Sequence, residues 1–154
     1  MSEMLEKARN YEAGKLAGTN PATRPLFHIA APAGWINDPN GFSVYDGRIH
    51  LFYQYNPYAR EWGPMHWGHS VSTDMIHWEQ LPAALAPDQE YDKIGCFSGS
   101  AIEADGKHVL VYTGVTKVKL EDKSEQERQN QCIALGDGKD YVKYEKNPVV
   151  TGDM

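Results

Sequence analysis

Gly41-Phe42-Ser43-Val44-Tyr45-Asp46-Gly47-Arg48-Ile49-His50-Leu51-Phe52-Tyr53-Gln54-Tyr55 places two β-rich runs on either side of Asp46-Gly47. Asp-Gly between such runs favours the left-handed two-residue turn that closes an antiparallel hairpin. The pattern predicts strands over 41–45 and 48–55. Two further runs, 65–72 and 76–81, follow a loop rich in Pro, Gly and Trp and then the turn Ser72-Thr73-Asp74. Four short antiparallel strands in succession are the result.

The pattern then repeats. Runs 95–103 and 107–114 meet at Asp105-Gly106, and runs 130–135 and 141–144 meet through Asp137-Gly138. The Asp46 and Asp105 turns lie 59 residues apart, an offset that sets Leu51 against Leu110 and Tyr53 against Tyr112. Trp78 and Tyr144 lie further apart, which fits a longer charged loop over 117–129 with Glu121, Asp122, Lys123, Glu125, Glu127 and Arg128. Tandem four-stranded units at this period are the signature of β-propeller blades, with a meandering β-sandwich as the alternative. Two blades alone leave faces and edges open. The expectation is therefore a piece of a larger protein, or a chain that covers those faces by association. Asn147-Pro148-Val149-Val150 reads as the approach to a further element.

Ahead of the β region, residues 2–14 read as a short amphipathic helix capped by Ser2, with Met4, Leu5, Ala8 and Tyr11 near helical spacing. Pro21 and Pro25 end it. The expected organisation is residues 1–24 as helix and linker and residues 25–154 as a partial propeller. Of the 154 residues, 41% are apolar and 23% charged, an ordinary globular composition. The net charge of −6 argues against a nucleic-acid partner. No stretch is long and apolar enough for a membrane span or a signal-peptide core. Cys96 and Cys132 fit no zinc-ligand spacing and read as buried free thiols. These features together point to the cytoplasm. His66 and His69, three apart on a strand, fall on opposite faces and do not make a metal pair. Neither a metal nor a cofactor is expected.

Trp35-Ile36-Asn37-Asp38-Pro39-Asn40-Gly41 reads physically as a constrained turn entering a strand. Pro39 fixes its own φ and pushes Asp38 toward an extended conformation, while Asn40-Gly41 tolerates positive φ. On residue types alone this is a turn that holds a carboxylate rigidly beside an amide able to bind sugar hydroxyls. Rigid placement is what a nucleophile requires.

The whole heptapeptide resembles the signature of glycoside hydrolase family 32, the invertases, sucrose-6-phosphate hydrolases and fructanases. Seven fixed positions arise by chance roughly once in 10^9 starts. Other segments agree in order. Phe52-Tyr53-Gln54-Tyr55-Asn56-Pro57 resembles the motif whose Gln contacts the fructosyl unit, and Trp62 resembles a cleft tryptophan. Trp67-Gly68-His69-Ser70-Val71-Ser72 with Asp74 and His77-Trp78 resembles the later strands of the first blade. Phe97-Ser98-Gly99-Ser100-Ala101 resembles the motif whose Phe and Ser line the fructose subsite. The resemblance implies an all-β fold, the first two four-stranded blades of a five-bladed β-propeller preceded by the short N-terminal helix. It implies retaining hydrolysis of terminal β-fructosides such as sucrose or sucrose 6-phosphate, with Asp38 as nucleophile and Trp35, Ile36, Asn37, Gln54, Trp62, Phe97 and Ser98 as substrate-binding residues.

The chain departs from that pattern in one respect. It contains no Arg-Asp-Pro, which supplies the transition-state aspartate, and no Glu-Cys, which supplies the acid/base. Asp74 and Glu103 read as solvated surface carboxylates rather than substitutes. Truncation before the acid/base is therefore expected, with little or no glycosidase activity in the isolated chain. A fructoside-binding module that does not cleave, and an assembly fragment that pairs with itself or with the missing remainder of the enzyme, are the alternatives.

Overall fold

A computed structural model describes residues 1–120 and 122–152. One helix, α1 (Glu3–Ala17), precedes eight strands: β1 (Trp35–Tyr45), β2 (Arg48–Asn56), β3 (His66–Ser72), β4 (Glu79–Leu85), β5 (Gly95–Ala104), β6 (Lys107–Lys119), β7 (Glu125–Gly136) and β8 (Tyr141–Lys143). The strands form two antiparallel four-stranded sheets in sequence order, β1-β2-β3-β4 and β5-β6-β7-β8. These are two adjacent blades. The Asp46-Gly47 and Asp105-Gly106 turns form as expected, whereas in Asp137-Gly138 only Gly138 has positive φ. Asp46 and Gly47 have φ of 47° and 68°, and Asp105 and Gly106 have 50° and 71°, left-handed at both central positions as a two-residue hairpin requires.

The core lies between the blades. Phe52, Trp67, Ala84 and Leu85 from the first sheet meet Cys96, Leu110, Tyr112, Cys132, Ala134 and Tyr141 from the second. Side chains alternate along a strand, so the 59-residue offset maps Phe52 of the first blade onto Val111 of the second. Phe52 faces the second blade, whereas the face that meets the first blade belongs to Leu110 and Tyr112. The sheets thus pack front to back, as successive blades around one axis must.

Histidines join the blades near the lower turns. His69 Nε2 and His50 Nδ1 are 2.9 Å apart, and His50 Nε2 lies 3.3 Å from the Tyr45 carbonyl. On the second blade, His108 bridges Ser43 at 2.9 Å and the Tyr141 hydroxyl at 2.7 Å. Burial holds all three imidazoles below their ordinary value, His108 at about 4, so the junction is uncharged at neutral pH. On the outer side, the Lys143 ammonium donates to Asp88, Asp92 and the Ala86 carbonyl, which ties β8 to the β4–β5 connection.

Helix α1 covers the outer edge of the first blade. Ser2 caps it by accepting from the Leu5 N–H, and Leu5 packs on Ala83 and Ala86. Ala83 of edge strand β4 has no partner strand on that side. Its N–H is taken by Glu12 at 3.0 Å and its carbonyl by Arg9 at 2.9 Å, which blunts the edge. The helix runs to Ala17, past the expected end, and its buried face is Leu5, Ala8 and Glu12 while Met4 is exposed. No helix among the described residues is long and apolar enough to cross a membrane.

Three other expectations are corrected. The segment from Trp35 is not a turn before a strand but the first half of β1. The last strand of the first blade is Glu79–Leu85 rather than 76–81, because Asp74 accepts from the N–H groups of Ile76 and His77 and holds that stretch as a loop. The charged stretch over 117–129 is mostly strand. Lys117 stands opposite Glu127 and Lys119 opposite Glu125 across β6 and β7, and Lys117 Nζ lies 3.6 Å from Glu125, so opposite charges face each other in the ladder. Glu121 lies outside the described residues. Cys96 and Cys132 are free and buried, as expected.

Candidate functional site

Two β-bulges build the site. In β1, Ile36 pairs with Tyr55 and Pro39 with Tyr53, so Asn37 and Asp38 together face Gln54 alone. In β5, Phe97 pairs with Thr113 and Gly99 with Tyr112, so Ser98 is the extra residue. A bulge bends its strand and re-aims a side chain. Here the two bulges aim at each other. The Ser98 hydroxyl donates to Asp38 Oδ2 at 3.3 Å across the blade boundary. Asp38 is exposed, and no other hydrogen bond to its carboxylate is found among the described residues. Pro39 is tolerated in the strand because β1 is an edge of its sheet.

Glycines make room at a second register shift of β1, between Asn40 and Ser43, and at the β5 bulge. Gly41 has φ of 58°, and a Cβ there would lie 2.6 Å from Phe52 Cδ2. A Cβ on Gly99 would lie 2.0 Å from the Val111 carbonyl oxygen. Trp62 is 57% exposed, and its ring meets Phe97 edge to face at 6.2 Å. Asn56 braces the loop that presents Trp62, donating to the Glu61 carbonyl and accepting from the Tyr58 N–H. Trp35 is half-buried and Ile36 and Asn37 are exposed at the start of β1. Gln54 is 5% exposed beneath the bulges, and its amide donates to the Cys96 carbonyl at 3.0 Å.

Two residues at the site were not picked out from the sequence. Asn40 is buried, its side-chain amide 3.5 Å from the Asp38 carbonyl oxygen and its own Oδ1 without a partner among the described residues. Trp67, buried between the blades, donates from Nε1 to the Phe97 carbonyl at 3.1 Å. Its place inside a quoted motif was the available signal. The order of bonding was not, since it depends on a partner thirty residues away.

The arrangement offers an exposed carboxylate with one hydroxyl donor, and the Trp62–Phe97 ring pair stands next to that donor in the chain. That suits nucleophilic attack on a sugar carbon with the flat sugar face against a ring. No second carboxylate completes it from the surface candidates. Glu103 lies five residues along β5 from Ser98, about 16 Å at strand rise, against the roughly 5–5.5 Å that a retaining pair needs. Asp74 is committed to its turn, and its His77 contact holds its carboxyl well below the usual range. Among the described residues there is no group of three His, Cys, Asp or Glu able to hold a metal ion.

Residues 28–154 match the profile described as the glycosyl hydrolases family 32 N-terminal domain. The sucrose-6-phosphate hydrolase of Escherichia coli is 48% identical over 126 residues, 82% of this chain and 26% of its own length. A raffinose invertase from Escherichia coli is 48% identical over 128 residues, with the same coverage. Among solved structures, a family 32 β-fructofuranosidase variant of Bombyx mori in complex with sucrose superposes with a TM-score of 0.83 at 44% identity, covering 98% of this chain and 32% of that one. The chain spans about a quarter of the length of the curated relatives it matches. The paired bulges, the two blades and these likenesses place the chain in glycosyl hydrolase family 32, within its N-terminal domain.

Proposed function

We propose that this chain supplies the nucleophile and half of the fructose subsite of a β-fructofuranosidase that cleaves terminal β-D-fructofuranosides by a retaining mechanism. The observation that carries the reading is the Asp38–Ser98 contact, which fixes an exposed carboxylate at the meeting point of two bulges. In this mechanism an Asp38 oxygen attacks the anomeric carbon of the fructosyl unit and the leaving oxygen departs with a proton from a general acid. Water then releases the ester, with that acid acting as base. Trp62 and Phe97 hold the sugar face, and Asn37 and Gln54 reach its hydroxyls. Sucrose and sucrose 6-phosphate are the proposed substrates, supported by the likeness to a sucrose-6-phosphate hydrolase and to a fructofuranosidase solved with sucrose. No carboxylate of this chain is assigned as the acid/base, and loss of a general acid alone removes about 10²–10⁴-fold of rate. We therefore expect the isolated chain to release little or no glucose from either sugar.

An activated substrate tests the nucleophile directly. Fluoride leaves β-fructofuranosyl fluoride without needing a proton, so the first step asks only for Asp38 and the fructose contacts that this chain supplies. Incubation should leave one fructosyl ester per chain, located on Asp38 by peptide mass spectrometry and absent in Asp38→Asn. A label on another residue, or equal labelling of Asp38→Asn, would remove Asp38 from the role.

A further inference from the structure

We propose that Trp67 is a positioning residue for the Asp38–Ser98 pair, acting through the main chain of Phe97. This deepens the reading of Asp38 as the nucleophile and rests on it for its catalytic meaning.

A bulge leaves main-chain groups that the strand ladder does not pair. β5 is also the edge strand of its sheet, and ahead of Ser98 the first blade takes its outward-facing main-chain groups one by one. The Met65 carbonyl accepts the Cys96 N–H at 2.9 Å. Gln54 donates to the Cys96 carbonyl at 3.0 Å. The Trp67 indole donates to the Phe97 carbonyl at 3.1 Å. The last of these is the carbonyl of the peptide that joins Phe97 to Ser98, so its direction sets where the Ser98 hydroxyl points. An indole has only one N–H, so this contact has a single direction.

The same ring also lies against β1, at its second register shift between Asn40 and Ser43. A Cβ at Gly41 would lie 3.1 Å from Trp67 Cζ3, so the benzo edge of the indole lies against the strand that holds Asp38. Phe52 and Tyr112 pack on the ring at 5.4 and 6.4 Å between centroids, and Trp67 has no exposed surface. One rigid side chain therefore spans the two strands whose bulges bring Asp38 and Ser98 together. A plain core filler would need the ring's volume but not its N–H.

The test replaces Trp67 alone by β-(3-benzothienyl)alanine through amber suppression, which keeps the ring shape and removes the donor. Trp67→Phe serves as a second variant. The readout is the ¹³C resonance of the Asp38 carboxyl carbon in the purified chain, compared with wild type and Ser98→Ala. The isostere should move that resonance in the same direction as Ser98→Ala. It should cause no further movement when combined with Ser98→Ala, because the effect runs through the hydroxyl. Labelling of Asp38 by β-fructofuranosyl fluoride should slow by roughly tenfold in the isostere, since small misplacements near reacting atoms are costly. An unmoved Asp38 resonance, or shifts that simply add in the double variant, would overturn the proposal. Because the resonance test uses no sugar, a failure of labelling in wild type would count against the nucleophile reading and leave the coupling result standing.

Discussion

Glu12 is the least expected side chain in the molecule. It lies 3% exposed under α1, with one oxygen on the Ala83 N–H and the other without a partner among the described residues. Burial raises its carboxyl from 4.5 to about 7, against the opposing pull of the Ala83 N–H, Tyr55 and Arg9. A folded value above the unfolded one means that the folded state prefers the proton. The contribution is therefore full below about pH 4.5 and is lost as the pH rises through about 7. Glu12→Gln keeps an acceptor for Ala83 and cannot ionise. Urea unfolding near about pH 5 and about pH 8 should show the wild type losing on the order of 2 kcal/mol relative to Glu12→Gln across that window. A parallel pH dependence in the two proteins would show that Glu12 stays solvated. The residue scale is where the sequence was least informative about packing and most informative about the candidate site. Asp38, Trp62, Phe97 and Ser98 stand in recognisable segments. Nothing in the helix itself marks Glu12 as buried, because what buries it is a strand seventy residues further on.

At the scale of elements, the turns were legible and the strand ends were not. Asp46-Gly47 and Asp105-Gly106 state their conformation locally, since each needs positive φ at two neighbouring positions. The start of β1 was hidden because Pro39, Asn40 and Gly41 are turn residues, and only pairing with β2 makes them a bulged strand. The β6–β7 arm was hidden for the reverse reason, its alternating charges reading as a loop until they are set opposite one another. The second irregularity of β1, between Asn40 and Ser43, makes a sharp demand on one residue. Gly41→Ala places a methyl against Phe52 at a left-handed φ. It should cost about 2–3 kcal/mol of unfolding free energy. Gly47→Ala, also at positive φ but with nothing within 4 Å of its Cβ, should cost only about 1 kcal/mol. Denaturant midpoints of the two variants check the difference. Equal costs would mean that backbone strain alone decides, and that the Phe52 contact relaxes.

For the molecule as a whole, the front-to-back packing of the blades has a consequence for the second sheet. The face equivalent to the one that Phe52 presents is occupied by Ile102, Val109, Val111, Ile133, Leu135 and Val142. Val109 pairs with Leu135 and Val111 with Ile133 across β6 and β7, while Ile102 and Val142 extend the row into β5 and β8. Ile102 is 61% exposed and Val142 72%. A four-stranded apolar face of this kind is what a propeller covers with its next blade, and an uncovered one favours association. The 154-residue chain alone should therefore sediment as a concentration-dependent mixture of monomer and oligomer. Val111→Lys combined with Ile133→Glu puts opposite charges on a directly paired position, which preserves the ladder while making the face polar. That double variant should sediment as a monomer at concentrations where the wild type associates, with an unchanged circular dichroism spectrum. It should also keep the Asp38 resonance, since Val111 and Ile133 point away from the blade boundary where Asp38 and Ser98 meet. A wild-type chain that stays monomeric throughout would show that this face is stable in water on its own.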